Sequence, residues 1–338
     1  MKNNRIIILS LALLLCIGLV SGCGEKTAEK QTSVSTENKL SVVCTTFPSC
    51  DWVKEVIGER KNEFDVTFLL DDGTDLHNYQ PTAEDIAKIA ECDLFIYVGG
   101  ESDKWVDDAL KEATNKNMRV INLMEVLGER VKEEEVIEGM EEEHEHEDGE
   151  EHEYEETEEV EYDEHVWLSL KNAQAIVNEL QKTLSDIDKD NAQVYIDNGN
   201  AYVSKLQEMD GAYETAVQSG MRKAVLFGDR FPFRYLADDY GIEYYAAFAG
   251  CSAETEASFE TIAFLAGKVD EMKLPVILKI ESSDSQIAEA IKNSTKDKNQ
   301  QILVMNSLQS VTSSDAESGF SYLSAMKDNL DILKQALN

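Results

Sequence analysis

Apolar residues fall in two rhythms along this 338-residue chain. Short runs rich in β-branched and aromatic residues alternate with stretches whose apolar positions recur every three or four residues. The runs at 40–46 (LSVVCTT), 64–70 (FDVTFLL), 93–98 (DLFIYV) and 118–122 predict strands, with helices at 51–57, 83–90 and 103–113. Phe47-Pro48-Ser49 breaks the first run and Gly58 ends the first helix, while Thr82 and Asp85 are spaced for a capping box. The alternation returns later, with strands predicted at 224–227, 243–248, 276–280 and 302–305 and helices around 232–240, 258–272, 285–294 and 319–337. Between the two sets, 170–187 reads as a helix, followed by a longer one from about 191 to 217. In the longer helix Tyr195, Tyr202, Leu206, Met209, Tyr213 and Val217 stand at steps of seven, four, three, four and four, which is one buried face. Free of proline, it would span about 40 Å at 1.5 Å per residue. Strands alternating with helices predict an α/β fold with mostly parallel sheets. A single long helix between two such halves predicts two α/β lobes joined by a rigid spacer. Functional residues are expected beyond the carboxyl ends of the strands.

The N-terminus reads as a processing signal. Lys2 and Arg5 precede a nearly continuous apolar run at 6–20, and Val20-Ser21-Gly22-Cys23 follows. That run is short for a membrane span and ends in small residues, as a secretory signal does. The cysteine directly after them resembles a bacterial lipobox, which implies cleavage before Cys23 and lipidation of its thiol. The predicted organisation is a signal peptide at 1–22, a flexible tether at 23–39, an N-terminal lobe at 40–187, a linking helix at 188–218 and a C-terminal lobe at 219–338. Of six cysteines, Cys16 leaves with the signal and Cys23 takes the lipid. Cys44, Cys50, Cys92 and Cys251 remain; their spacing matches no zinc finger, and a disulfide among them is open in an exported protein.

Charge narrows the partners. The formal net charge is −36, and residues 133–164 hold 20 Asp/Glu, three histidines (His144, His146, His152) and no Lys or Arg, leaving −16 for the rest. Nucleic acid is excluded as a partner, because phosphate binding needs clustered basic residues. Cations fit better. Such an acidic tract is expected to be a solvated loop, and its histidines make it an accessory, weak metal-collecting segment.

Only two histidines lie outside that tract. His77 sits in Asp75-Leu76-His77-Asn78-Tyr79-Gln80-Pro81-Thr82 after a predicted strand, and His165 sits in Asp163-Glu164-His165-Val166-Trp167 at the exit of the acidic tract. Imidazole is a common ligand for zinc and other transition metals. Asp75 and Asp163, each two residues upstream, are placed to hold the second ring nitrogen of their histidine. Trp105 and Trp167 are each close to one of these motifs, as shields for a metal or as core. No HExxH or nucleophile-elbow motif is present, which argues against a secreted zinc hydrolase.

The lipobox, the TTFP strand end, DLHNYQPT followed by DLFIYVGG and a tryptophan, the acidic His-bearing insert, DEHVWLSL and a closing Tyr-x3-Met-x2-Asn-Leu helix occur in this order. Together they resemble the zinc/manganese solute-binding lipoproteins of ABC importers, the cluster A-I family with its high-affinity zinc-uptake branch. The resemblance covers essentially the whole mature chain. It implies two α/β lobes joined by one rigid helix, with a metal cleft between them. It also implies a non-enzymatic protein, anchored at the outer face of the membrane, that passes Zn2+ to a permease. A manganese-binding protein and an adhesin on the same fold are the alternatives it carries.

His77 and His165 match the two N-lobe ligands of that family. Its third ligand, His or Glu, falls at Arg230 here when the motif is anchored on Tyr235, and a guanidinium cannot ligate. Its fourth, an acid, falls near Asn306. Asp229, Glu254, Glu281 and the thiolate of Cys251 are the replacements that strand-end placement offers, with Glu281 and Asp229 favoured because each follows a predicted strand. Arg230 and Arg234 are expected to pair with a cleft carboxylate, Glu254 or Glu281.

Overall fold

The computed structural model describes residues 39–140, 161–252 and 256–338. Its first half runs β1 (Leu40–Cys44), α1 (Phe47–Ile57), β2 (Phe64–Phe68), α2 (Ala83–Glu91), β3 (Leu94–Tyr97), α3 (Val106–Lys111), β4 (Arg119–Asn122) and α4 (Leu123–Leu127). The strands form one sheet in the order β2-β1-β3-β4, and every pair is parallel. In register, Val42 of β1 lies between Val66 of β2 and Leu94 of β3. Helices cross over between parallel strands and cover the sheet, so the central strands are apolar on both faces. Leu94, Phe95 and Ile96 of β3 are all buried.

The second half repeats the plan with β5 (Ala224–Arg230), α7 (Arg234–Tyr240), β6 (Glu243–Phe248), α8 (Phe259–Met272), β7 (Val276–Ile280), α9 (Gln286–Ser294), β8 (Gln301–Met305), α10 (Ser313–Glu317) and α11 (Tyr322–Leu337). Its sheet order is β6-β5-β7-β8, again all parallel. Between the halves lie α5 (Leu170–Ile187) and the 28-residue α6 (Ala192–Ser219). The face predicted for α6 is the one it buries: Tyr195, Tyr202, Leu206, Tyr213 and Val217 are buried, and Met209 is partly so.

α6 belongs to both lobes. On one side Asn198 donates to the carbonyl of Val56 at 3.0 Å, and on the other the Tyr213 hydroxyl donates to the carbonyl of Met326 at 2.6 Å. The lobes also meet directly. Trp167 Nε1 donates to Ser307 O at 2.9 Å, the Tyr322 hydroxyl to Trp167 O at 2.7 Å, and the Tyr322 amide to Asp51 at 3.0 Å.

Some bounds differ from those predicted, for local reasons. Helix α1 begins at Phe47 rather than Asp51, because Pro48 falls in its first turn, where a missing N–H costs nothing. The capping box of Thr82 and Asp85 is present at the start of α2. The four cysteines among the described residues are free thiols: Cys44, Cys50 and Cys92 are buried and Cys251 is half-buried. Among the described residues no helix is long and apolar enough to cross a membrane. The signal peptide, the lipidation at Cys23 and the tether lie outside the described residues, as do His144, His146, His152 and Glu254.

Candidate metal centre

The carboxyl ends of both sheets supply the site, and each side chain is set by its own short turn. His77 follows β2 in a 3-10 turn, Leu76–Asn78. Asp75 caps that turn, accepting the His77 amide at 3.1 Å, and buried Leu76 anchors it in the core. His165 precedes a second 3-10 turn, Val166–Leu168, whose three residues are fully buried. Asp163 accepts both the His165 amide at 2.8 Å and the ring Nδ1 at 3.0 Å. The Trp167 ring stands edge-on to the His165 ring at 5.4 Å and closes the floor beneath it.

These turns bring two imidazoles, 88 residues apart in sequence, to a single point: Nε2 of His77 lies 3.3 Å from Nε2 of His165. His165 is fully buried and the His77 side chain is 12 % exposed. The opposite nitrogens are both held. His77 Nδ1 lies 2.8 Å from Ser102 Oγ and 3.4 Å from Glu164 Oε2, and His165 Nδ1 lies against Asp163. A carboxylate beside Nδ1 keeps the proton there and turns the Nε2 lone pair outward, as in carboxylate-held zinc ligands. Two nitrogens bonded to one tetrahedral zinc ion at about 2.0–2.1 Å stand about 3.3–3.4 Å apart. The observed separation therefore fits two ligands of one ion.

Protonation follows the same geometry. Burial, then the neighbouring His165, holds the His77 imidazole far below its ordinary range, so it stays neutral. Burial also works against a charge on His165, but Asp163 and Glu134 together outweigh it and raise that ring. Burial raises the Glu164 carboxyl above its usual range, partly offset by bonds from Ser102. Glu164 reaches this position because Gly100, at φ +86°, leaves room: a Cβ there would stand 2.4 Å from Glu164 Oε1.

One further side chain of a metal-ligating type stands near the pair. Among the described residues, His77, His165 and Cys251 are a group whose ligand atoms lie within 4.8 Å of one another. Cys251 comes from the loop after β6, and its sulfur is 4.0 Å from His165 Nδ1. Burial, then Asp163 and Glu134, holds the thiol far above its ordinary value.

The two C-lobe acids favoured from strand position lie outside that group, because each carboxylate serves the backbone. β5 slips register between Phe227 and Arg230, and Asp229 covers the irregularity by accepting the amides of Arg230 at 2.9 Å and Ile280 at 3.1 Å. Glu281 accepts the amide of Ser307 at 2.7 Å and its hydroxyl at 2.8 Å, tying the β7 exit to the β8 exit. The Asn306 side chain accepts the Leu308 amide, while its backbone N–H donates to, and its carbonyl accepts from, the Asn329 side-chain amide. The expected partners of the arginines also change. Arg230 pairs with Asp75 across the cleft, and Arg234 with Glu135 and Asp238. Asp75 therefore braces the His77 turn and a guanidinium; the His77 ring nitrogen goes to Ser102 and Glu164 instead. Trp105 packs on Tyr79 and Phe95, inside the N-terminal lobe.

The acidic tract is closed at its base. Glu134 N donates to Glu161 O at 2.8 Å and Asp163 N to Lys132 O at 2.9 Å, so its two ends run side by side. Tyr235 of α7 spans both ends, donating to Asp163 O at 2.7 Å and accepting from Lys132 N at 3.1 Å. Sequence reasoning missed Ser102 and Glu134. The Gly99-Gly100 pair before Ser102 was the one available signal for the first; nothing set Glu134 apart from its acidic neighbours.

Comparison with known proteins gives a consistent picture. Residues 42–336 match the family model described as zinc-uptake complex component A, periplasmic. The chain is 32% identical over 322 residues to the high-affinity zinc uptake system protein ZnuA of Bacillus subtilis, covering 95% of each. It is 31% identical over 330 residues to the zinc-binding lipoprotein AdcA of Streptococcus pneumoniae, spanning 97% of this chain and 60% of that one. The crystal structure of the Zn(II)-bound ZnuA-like domain of that AdcA superposes with a TM-score of 0.66 at 29% identity, over 88% of this chain and 99% of the domain.

Proposed function

Because the chain belongs to the family of periplasmic component A of zinc-uptake complexes, we propose that it captures Zn2+ in the cleft and delivers it to an ABC importer permease. The observation that carries this is the pair of Nε2 atoms 3.3 Å apart with both Nδ1 atoms held by carboxylates or a hydroxyl. Such a pair is ordered before the ion arrives, so little rotamer entropy is lost on binding. Neutral nitrogen ligands favour zinc over manganese, which prefers oxygen. The cation meets a compensating field from Asp163, Glu134 and Glu164, while Asp75 offsets the charge of Arg230. Nothing is chemically transformed: the ion is bound, carried and released.

Lipidation at Cys23 would hold the protein at the outer face of the membrane, beside its permease. His144, His146 and His152 would gather cations weakly near the cleft, where the acidic tract begins and ends. A chelator-competition titration tests the capture step. His77→Ala and His165→Ala should each weaken zinc binding by at least a hundredfold while the fold melts as before. Wild-type affinity in either variant would refute the assignment.

A further inference from the structure

We propose that Cys251 supplies a third ligand to the zinc ion, as a thiolate, closing the site from the C-terminal lobe. This rests on the zinc-capture reading of His77 and His165 and names what completes it. The resemblance puts the third ligand at Arg230, but that guanidinium is committed to Asp75. Asp229 and Glu281 have both carboxylate oxygens engaged by backbone amides or Ser307. Among the described residues, Cys251 is the C-lobe group with a ligand atom within 4.8 Å of ligand atoms of both imidazoles. Its sulfur stands 4.0 Å from His165 Nδ1, so joining an ion at the Nε2 pair requires it to swing to the other edge of that ring.

The loop that carries Cys251 is built for that approach. Gly250 lets the chain pass against His165: a Cβ there would lie 3.3 Å from His165 Cε1 and 2.9 Å from Phe231 O. The Cys251 amide is fixed by Glu134 Oε1 at 3.0 Å. Glu134 Oε2 is buried without a hydrogen-bond partner, and the carboxylate is an electrostatic neighbour of both the thiol and His165. Ligation then balances: the Zn–S bond forms, the S–H bond breaks, and the proton passes to Glu134 and on to solvent. The residues involved come from both lobes, His77 and His165 from one and Cys251 from the other, so the ion would cross-link them. A thiolate also discriminates sharply between metals, since sulfur ligands suit zinc and are poor partners for manganese. Among the described residues the other three thiols, Cys44, Cys50 and Cys92, are buried in the N-terminal core and cannot substitute.

The test is to titrate the full mature protein with Co2+ as a spectroscopic stand-in for zinc, then repeat with Cys251→Ser. A thiolate ligand gives an intense sulfur-to-cobalt charge-transfer band in the near ultraviolet, absent from nitrogen and oxygen sites. We expect the band in the wild type at one equivalent of cobalt, its loss in Cys251→Ser, and zinc affinity in that variant lower by at least tenfold. Because the wild-type spectrum decides the point, the test survives poor folding of the variant. Visible cobalt bands without a charge-transfer band would overturn the cysteine ligand and leave zinc capture by the histidines standing. Failure of the wild type to bind cobalt or zinc tightly would overturn both.

Discussion

At the scale of single residues, the chain shows why two motifs can converge on one point while strand position alone does not bring a side chain there. His77 and His165 were legible because their two motifs, in that order around the acidic tract, resemble those of the family's N-lobe ligands, and the structure brings their Nε2 atoms together. Asp229 and Glu281 occupy equally suitable strand ends, yet a register slip and a neighbouring strand exit claim their oxygens. Such backbone demand has no signature in composition or spacing. Asp103 is a second group whose state is set by burial rather than by sequence. It is 3 % exposed and accepts the amides of Val98 and Gly99, and burial pushes its carboxyl up to about 7. The folded protein therefore keeps a proton that the unfolded chain loses near pH 4. Stability from this group is greatest at low pH and falls as pH rises from about 4 to 7, by up to about 1.4 kcal/mol per unit. Asp103→Asn should remove that slope and match or exceed wild-type stability at pH 7, as read by urea unfolding across pH. An unchanged slope would show that Asp103 is ionised when buried.

At the scale of elements, periodicity located the strands and the long helix because both rhythms reflect burial that the fold satisfies. The bounds that moved did so where a local rule outranked the pattern, as Pro48 did by sitting in the first turn of α1. The apolar stripe of α6 could not reveal how its tyrosine hydroxyls are used. Tyr213 is fully buried and its hydroxyl donates to Met326 O at 2.6 Å, whereas the Tyr202 hydroxyl is buried with no hydrogen-bond partner. Deleting a bonded hydroxyl removes about 1 kcal/mol, while deleting an orphaned one removes a desolvation cost. Thermal unfolding should therefore show Tyr213→Phe destabilised by about 1 kcal/mol and Tyr202→Phe unchanged or more stable. Equal losses would mean that the two hydroxyls share one role.

At the scale of the molecule, two lobes with the same strand order meet through α6, Trp167 and Tyr322, and the site lies where the carboxyl ends of their strands converge. The candidate site was only half legible, since a cysteine in a loop after β6 meets His165, and a glutamate at the head of an acidic run meets that cysteine, only in three dimensions. The same geometry redraws the border between site and accessory tract. Glu134, Asp163 and Glu164 bond Cys251, His165 and Ser102, so a deletion meant to isolate the tract should remove residues 141–160 and bridge the paired ends with a short linker. Equilibrium dialysis should then show several weak zinc sites lost and the tight one retained within a few-fold. Loss of the tight site would place the functional ligands in the tract itself.

The most direct measurement is anomalous diffraction at the zinc absorption edge from crystals grown with one equivalent of zinc. A single strong peak should appear between the lobes, about 2.0–2.1 Å from Nε2 of both His77 and His165. A peak bonded to neither imidazole, or to only one of them, would contradict the account.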